Sequence, residues 1–116
     1  MAYPASGKPR VPPGFERAFA EFQKLPNVGK ATAEDLVRLR VRSLRDLSRR
    51  EPMTLYRRLC RMDGVRHDPC VMDVFMATVE HARTGSSKPW WKYTAQRKAM
   101  LAAAAEGSRR ASRSRR

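Results

Sequence analysis

Between two stretches of helical apolar periodicity stands Leu25-Pro26-Asn27-Val28-Gly29-Lys30-Ala31-Thr32-Ala33, and no other part of the chain limits the fold so sharply. Proline pushes the residue before it out of the helical region, so a first helix has to stop here. The next residues must turn the chain tightly, which requires positive φ; glycine adopts it freely and asparagine tolerates it best of the others. A second helix then opens at Lys30. Its leading N–H groups have no partner inside the helix, and Gly29 leaves room for a phosphate to approach them. Lys30 and Thr32 are placed to add a charge-assisted bond and a hydroxyl bond. Donors of this kind read phosphates, not bases.

Upstream, Phe15, Phe19 and Phe22 recur at i, i+4 and i+7, the apolar stripe of the first helix. The second helix, Lys30 to about Leu39, turns Ala33, Leu36 and Val37 inward and keeps Glu34 and Asp35 toward its positive end. Ser43 is the N-cap of a short connecting helix with Leu44 and Leu47 inside. Pro52, at a first-turn position, opens a fourth helix through Leu55, Tyr56, Leu59 and Met62, which Gly64 ends. Asp68 and Pro69 start a fifth, whose run Val71, Met72, Val74, Phe75, Met76, Val79 and Ala82 is apolar on most sides; it belongs at the centre, and Gly85 closes it.

No window alternates with period two, so the expectation is an all-α domain of about five helices over residues 15–93. Residues 1–14 contain four prolines and two glycines and read as a disordered arm. An Ala-rich helix over 94–107 is marginal by itself and stable only if Met100 and Leu101 dock. The low-complexity residues 108–116 read as a disordered basic tail.

The chain holds 25 Lys and Arg against 11 Asp and Glu in 116 residues, a net charge of +14. Residues 14–85 carry 14 cations and 10 acids, whereas residues 86–116 carry 9 cations and one acid, so the body is near balance and the C-terminal part is not. Such an excess points to a polyanionic partner. Nucleic acid is favoured over a membrane surface, because no stretch approaches the roughly 20 apolar residues of a span and there is no amphipathic anchor. Two cysteines without an export signal read as reduced thiols in the cytoplasm.

The Leu25–Gly29 turn resembles the helix-hairpin-helix motif, whose hairpin commonly reads Leu-Pro-Gly-Val-Gly. Asn27 replaces the first glycine and is expected to put a side chain where the motif has bare backbone. A degenerate second copy, Cys60-Arg61-Met62-Asp63-Gly64-Val65 before the helix at Asp68, follows 35 residues later. Two such units around a short connector resemble a tandem helix-hairpin-helix domain, which implies two hairpins presented to two backbone strands. Asp63 and Asp68 repel phosphate and Arg61 and Arg66 offset them, so the first hairpin is expected to bind and the second mainly to support it.

The order LPNVGKATAEDL, a basic connector, LYRRLC, D-x-CVMDVF and PWWK further resembles a small bacterial family of pathogenicity-locus proteins, sometimes labelled mitomycin-resistance proteins. This resemblance covers about residues 15–93 and implies the tandem fold and DNA binding. The residues expected to contact DNA are Asn27, Val28, Gly29, Lys30 and Thr32, with Gly64 and Arg66 from the second hairpin.

Six arginines (Arg38, Arg40, Arg42, Arg45, Arg49 and Arg50) face only Asp46 within residues 38–50, a balance that favours phosphate contact, led by Arg38, Arg40 and Arg42. Trp90 and Trp91 are expected to seal the core; the competing role is stacking on single-strand bases beside Lys88, Lys92 and Tyr93. Cys60, His67, Cys70 and His81 match no zinc spacing, so neither metal nor cofactor is expected, and Cys70 reads as buried rather than reactive. Asp63, Asp68 and Asp73 read as a turn acid, a cap and a helix-surface charge, with no third ligand for nuclease metal. A glycosylase would need a larger lobe to hold a flipped base. The expected function is therefore non-catalytic, largely sequence-independent binding of nucleic acid, DNA foremost. The alternative is a helical adaptor for a protein partner whose basic tail binds nucleic acid non-specifically.

Overall fold

A computed structural model describes residues 10–114, and from residue 108 onward only the course of the helix. All regular structure in it is helical: α1 (Glu16–Phe22), α2 (Lys30–Arg38), α3 (Leu44–Ser48), α4 (Pro52–Asp63), α5 (Cys70–Thr84), a 3-10 turn (Trp90–Tyr93) and α6 (Thr94–Ser114). The all-α expectation holds. α1 packs on α2, and α5 touches α3, α4, the 3-10 turn and α6, which makes it the central helix its apolar run requires. Phe22, Leu36, Leu39, Leu47, Leu55, Leu59, Met72 and Phe75 are fully enclosed between these elements. No described helix is long and apolar enough to cross a membrane.

The helix boundaries follow local chemistry. Ser43 Oγ accepts the Asp46 N–H at 3.0 Å while the Asp46 carboxylate accepts the Arg42 N–H at 2.9 Å, a reciprocal cap that fixes the start of a five-residue helix. Pro52 occupies the first turn of α4. α4 ends where Gly64 turns left-handed (φ 64°), so that Val65 N–H reaches the Cys60 carbonyl and Gly64 N–H the Arg61 carbonyl, at 3.2 and 3.3 Å. A Cβ at Gly64 meets nothing within 4 Å, so its cost is conformational alone. Gly64→Ala is expected to lose about 1 kcal/mol, seen as a thermal midpoint lower by roughly 5 °C, and Gly64→Asn less.

Two boundaries and one side-chain role differ from the sequence reading. α6 continues to Ser114 instead of stopping near Glu106, so residues 108–114, expected as a disordered tail, extend the helix; its docked first turn and the alanines 102–105 carry it through Gly107. Residues 10–13 are attached rather than a loose arm: Arg10 pairs with Glu34 at 3.2 Å and Val11 packs on the core. The remainder of the expected arm, residues 1–9, and the last two tail residues lie outside the described residues. Asp73 is not a surface charge. It is 0% exposed, accepts the Thr94 hydroxyl at 2.7 Å and Arg97 Nε at 2.8 Å, and so fastens α6 to α5. Met100 and Leu101 complete that docking, half-buried against the core.

Candidate nucleic-acid interface

The first hairpin tightens after α1 by bonds from Leu25 N–H to Phe22 and from Val28 N–H to Leu25. Positive φ falls on Asn27 (68°), while Gly29 is extended (φ −93°). Glycine is thus not needed at position 29 for its backbone angle. Gly29 is the N-cap of α2, no side chain caps that helix, and the space where a Cβ would stand has no atom within 4 Å. The ladder begins with Ala33 N–H to the Gly29 carbonyl at 3.0 Å, which leaves the N–H groups of Lys30, Ala31 and Thr32 ahead of the first rung. Gly29 and Lys30 are exposed. Val28 is buried and anchors the turn, so only its backbone belongs to the surface. Thr32, half-buried, lines a recess of about 290 Å³ with Asp68, Cys70 and Val71, across which the start of α2 faces the start of α5.

Asn27 does not obstruct the open backbone as expected. Its side chain turns onto a segment 61 residues away, donating from Nδ2 to the Lys88 carbonyl and accepting the Trp90 N–H at Oδ1, both at 3.1 Å. This places Lys88–Trp91 against the hairpin, which sequence reasoning missed. The only signal for it was an amide at a position where the motif has glycine.

The second hairpin is closed where the first is open. Asp68 accepts the Cys70 N–H at 2.8 Å, so a carboxylate already occupies the beginning of α5. That backbone bond holds the Asp68 carboxyl below its usual range, and the same carboxylate, with burial, pushes the Cys70 thiol up, away from a reactive thiolate. Gly64 has spent its N–H on the end of α4, and Arg66 is exposed beside it. Asp63 is buried with His67 Nε2 at 2.7 Å and the Arg38 guanidinium against it. Burial alone would raise this carboxyl, but the bonds from Arg38 and His67 outweigh it and hold it low.

The arginine-rich connector divides. Arg38, placed with the phosphate contacts from its sequence neighbours, is instead buried between Asp63 and Asp35, 3.3 Å from the latter. Asp35 stands three residues before it on α2, a spacing visible in the sequence, whereas Asp63 comes from α4, which no local pattern reveals. Arg40 and Arg42 remain exposed, each 5.6 Å from the centroid of the Phe15 ring. They stand at the opposite end of α2 from Gly29, about 16 Å away by helical rise. Arg50 is tied to Asp46 and to the Arg40 carbonyl, each at 3.0 Å.

The tryptophans also divide. Trp90 is half-buried against the core, as packing requires, and Trp91 is 58% exposed. Cys60 and the two histidines have local roles: Cys60 Sγ accepts the His67 N–H at 3.4 Å, and His81 Nδ1 lies 3.0 Å from the Ser86 carbonyl. Among the described residues no three His, Cys, Asp or Glu side chains gather as metal ligands.

The mitomycin resistance protein McrB of Streptomyces lavendulae is 37% identical over 83 residues, which cover 72% of this chain and 79% of that protein. No solved structure matches. The family model Cdd1, described as pathogenicity locus, matches residues 16–99. That span passes the limit near residue 93 expected from sequence and takes in Thr94 and Arg97, the two residues that hold Asp73. From the open hairpin to the docked start of α6, the chain belongs to the Cdd1 pathogenicity-locus family.

Proposed function

We propose that the protein is a non-catalytic DNA-binding protein that grips the phosphate backbone at the open start of α2. The observation that carries this reading is the exposed helix N-terminus at Gly29, which no side chain caps and where nothing stands within 4 Å of the position a Cβ would take. Those donors and the partial positive charge of the helix end suit a phosphate oxygen, and exposed Lys30 adds a full charge beside them. Backbone donors and lysine are indifferent to base identity, so binding is largely independent of sequence. In this reading α1–α2 and α4–α5 are two helix-hairpin-helix units; the first binds, and the second, closed by Asp68, supports it. Arg40 and Arg42, held against Phe15 in the loop beyond the far end of α2, add further cations. The relative's name records a resistance, not a ligand.

Salt-titrated binding of a fluorescent duplex to the full chain, with Gly29→Ala and Gly29→Glu, tests the reading. Affinity should fall linearly on a double-logarithmic salt plot. Both variants should melt like the parent, since position 29 has open space and an ordinary φ. Gly29→Ala should bind slightly less, and Gly29→Glu, which sets a carboxylate on the phosphate position, about tenfold less or weaker. A folded Gly29→Glu variant that binds as the parent does would overturn the proposal and leave nucleic-acid affinity to the cations of α6.

A further inference from the structure

Resting on that reading, we infer that Trp91 is a stacking platform for an unpaired nucleobase, so that the preferred ligand is DNA at a place where duplex gives way to single strand. Trp91 is the most exposed large apolar side chain among the described residues, at 58%. Its ring meets that of Trp90 edge to face, with centroids 5.8 Å apart and planes at 84°, and Trp90 is seated on the core. The platform is therefore braced before any ligand arrives, which lowers the ordering cost of stacking.

Its position matters as much as its exposure. The two bonds of the Asn27 amide clamp the backbone of Lys88 and Trp90 to the hairpin turn, so Trp91 follows one residue after a point fixed to the phosphate-binding element. In sequence Lys88 and Lys92, both exposed, flank it, the Lys88 ammonium 4.5 Å from the centroid of the Tyr93 ring, and residues 86–105 contain no acid. An indole set among lysines suits a strand that offers both phosphates and an open base face. A fully paired duplex offers only the phosphates, because its base faces are already stacked. Stacking on an indole is tolerant of base identity, as the hairpin contacts are.

The test compares salt-titrated binding of the full chain to a blunt duplex and to the same duplex with a single-stranded thymidine extension, in the parent, Trp91→Ala and Trp91→Phe. The parent should favour the extended duplex by about tenfold, the scale of one stacked base. Trp91→Ala should lose that preference while it keeps its helical signal and its affinity for the blunt duplex. An oligothymidine strand should quench tryptophan emission in the parent and not in Trp91→Phe. Equal affinity of the parent for both duplexes, a preference that survives Trp91→Ala, or quenching that persists in Trp91→Phe overturns the inference. Where blunt-duplex binding still depends on position 29, the hairpin reading stands without it; a parent that binds neither duplex at low salt removes both.

Discussion

Asp73→Ala is expected to lower stability by about 3–5 kcal/mol, because it strands the Arg97 guanidinium in the core without its anion. Asp73 is fully enclosed and receives the Thr94 hydroxyl and two nitrogens of Arg97, at 2.7, 2.8 and 3.3 Å. Arg97 is itself buried, so water does not replace the lost carboxylate. On a domain of this size such a loss lowers the thermal midpoint by roughly 15 °C or more, and helical signal should fall as α6 detaches. The control is the double variant Asp73→Leu with Arg97→Met, which removes both charges and keeps apolar volume; it should recover most of the lost stability. If Asp73→Ala melts with the parent, the ion pair is not what fastens α6.

Arg38→Ala is the second large effect, of similar size at neutral pH, since it leaves the buried Asp63 carboxylate without its guanidinium. Here acid supplies a further test. Asp63 is held below its unfolded value of about 3.9, so between the two values only the unfolded chain takes up a proton. Its contribution is complete above about pH 4 and disappears as pH falls through the folded value. Without Arg38 the carboxyl loses its principal cation and protonates more readily, which relieves the buried charge. The gap in melting temperature between parent and Arg38→Ala should therefore narrow on going from pH 7 to pH 3. Asp46, lowered by its bond from Arg50, and Asp68, lowered by the Cys70 N–H, add acid sensitivity to both proteins alike, so the difference reports on the two acids that contact Arg38, Asp63 and Asp35. A gap that is constant with pH would mean that Arg38 acts by packing alone.

Features governed by neighbouring residues were legible in the sequence. The Ser43 cap, Pro52 in its first turn, the ends at Gly64 and Gly85 and the burial of α5 all follow from local propensity and period. What could not be read was how charges are sorted by tertiary contact. Arg38 and Arg40 are two residues apart; one is enclosed by carboxylates from two helices and the other lies exposed over Phe15. Asp73 carried a usable signal, since an acid inside a run that is apolar on most sides must be buried and must find a cation. Its partner 24 residues on, in a segment read as marginal, had no comparable mark. At the candidate site the turn and its helix were evident from Leu25 to Thr32, but not the segment that Asn27 holds against it.

That long-range clasp bears on when the turn is completed during synthesis. The amide of Asn27 closes a loop of 61 residues, a contact that a growing chain cannot make until Trp90 has left the ribosome. The turn is made before α2 to α5 but acquires its finished geometry only after those helices have followed it. A nascent chain carrying only α1 and α2 has the turn's sequence without its clasp, and the finished turn waits on residues that follow α5.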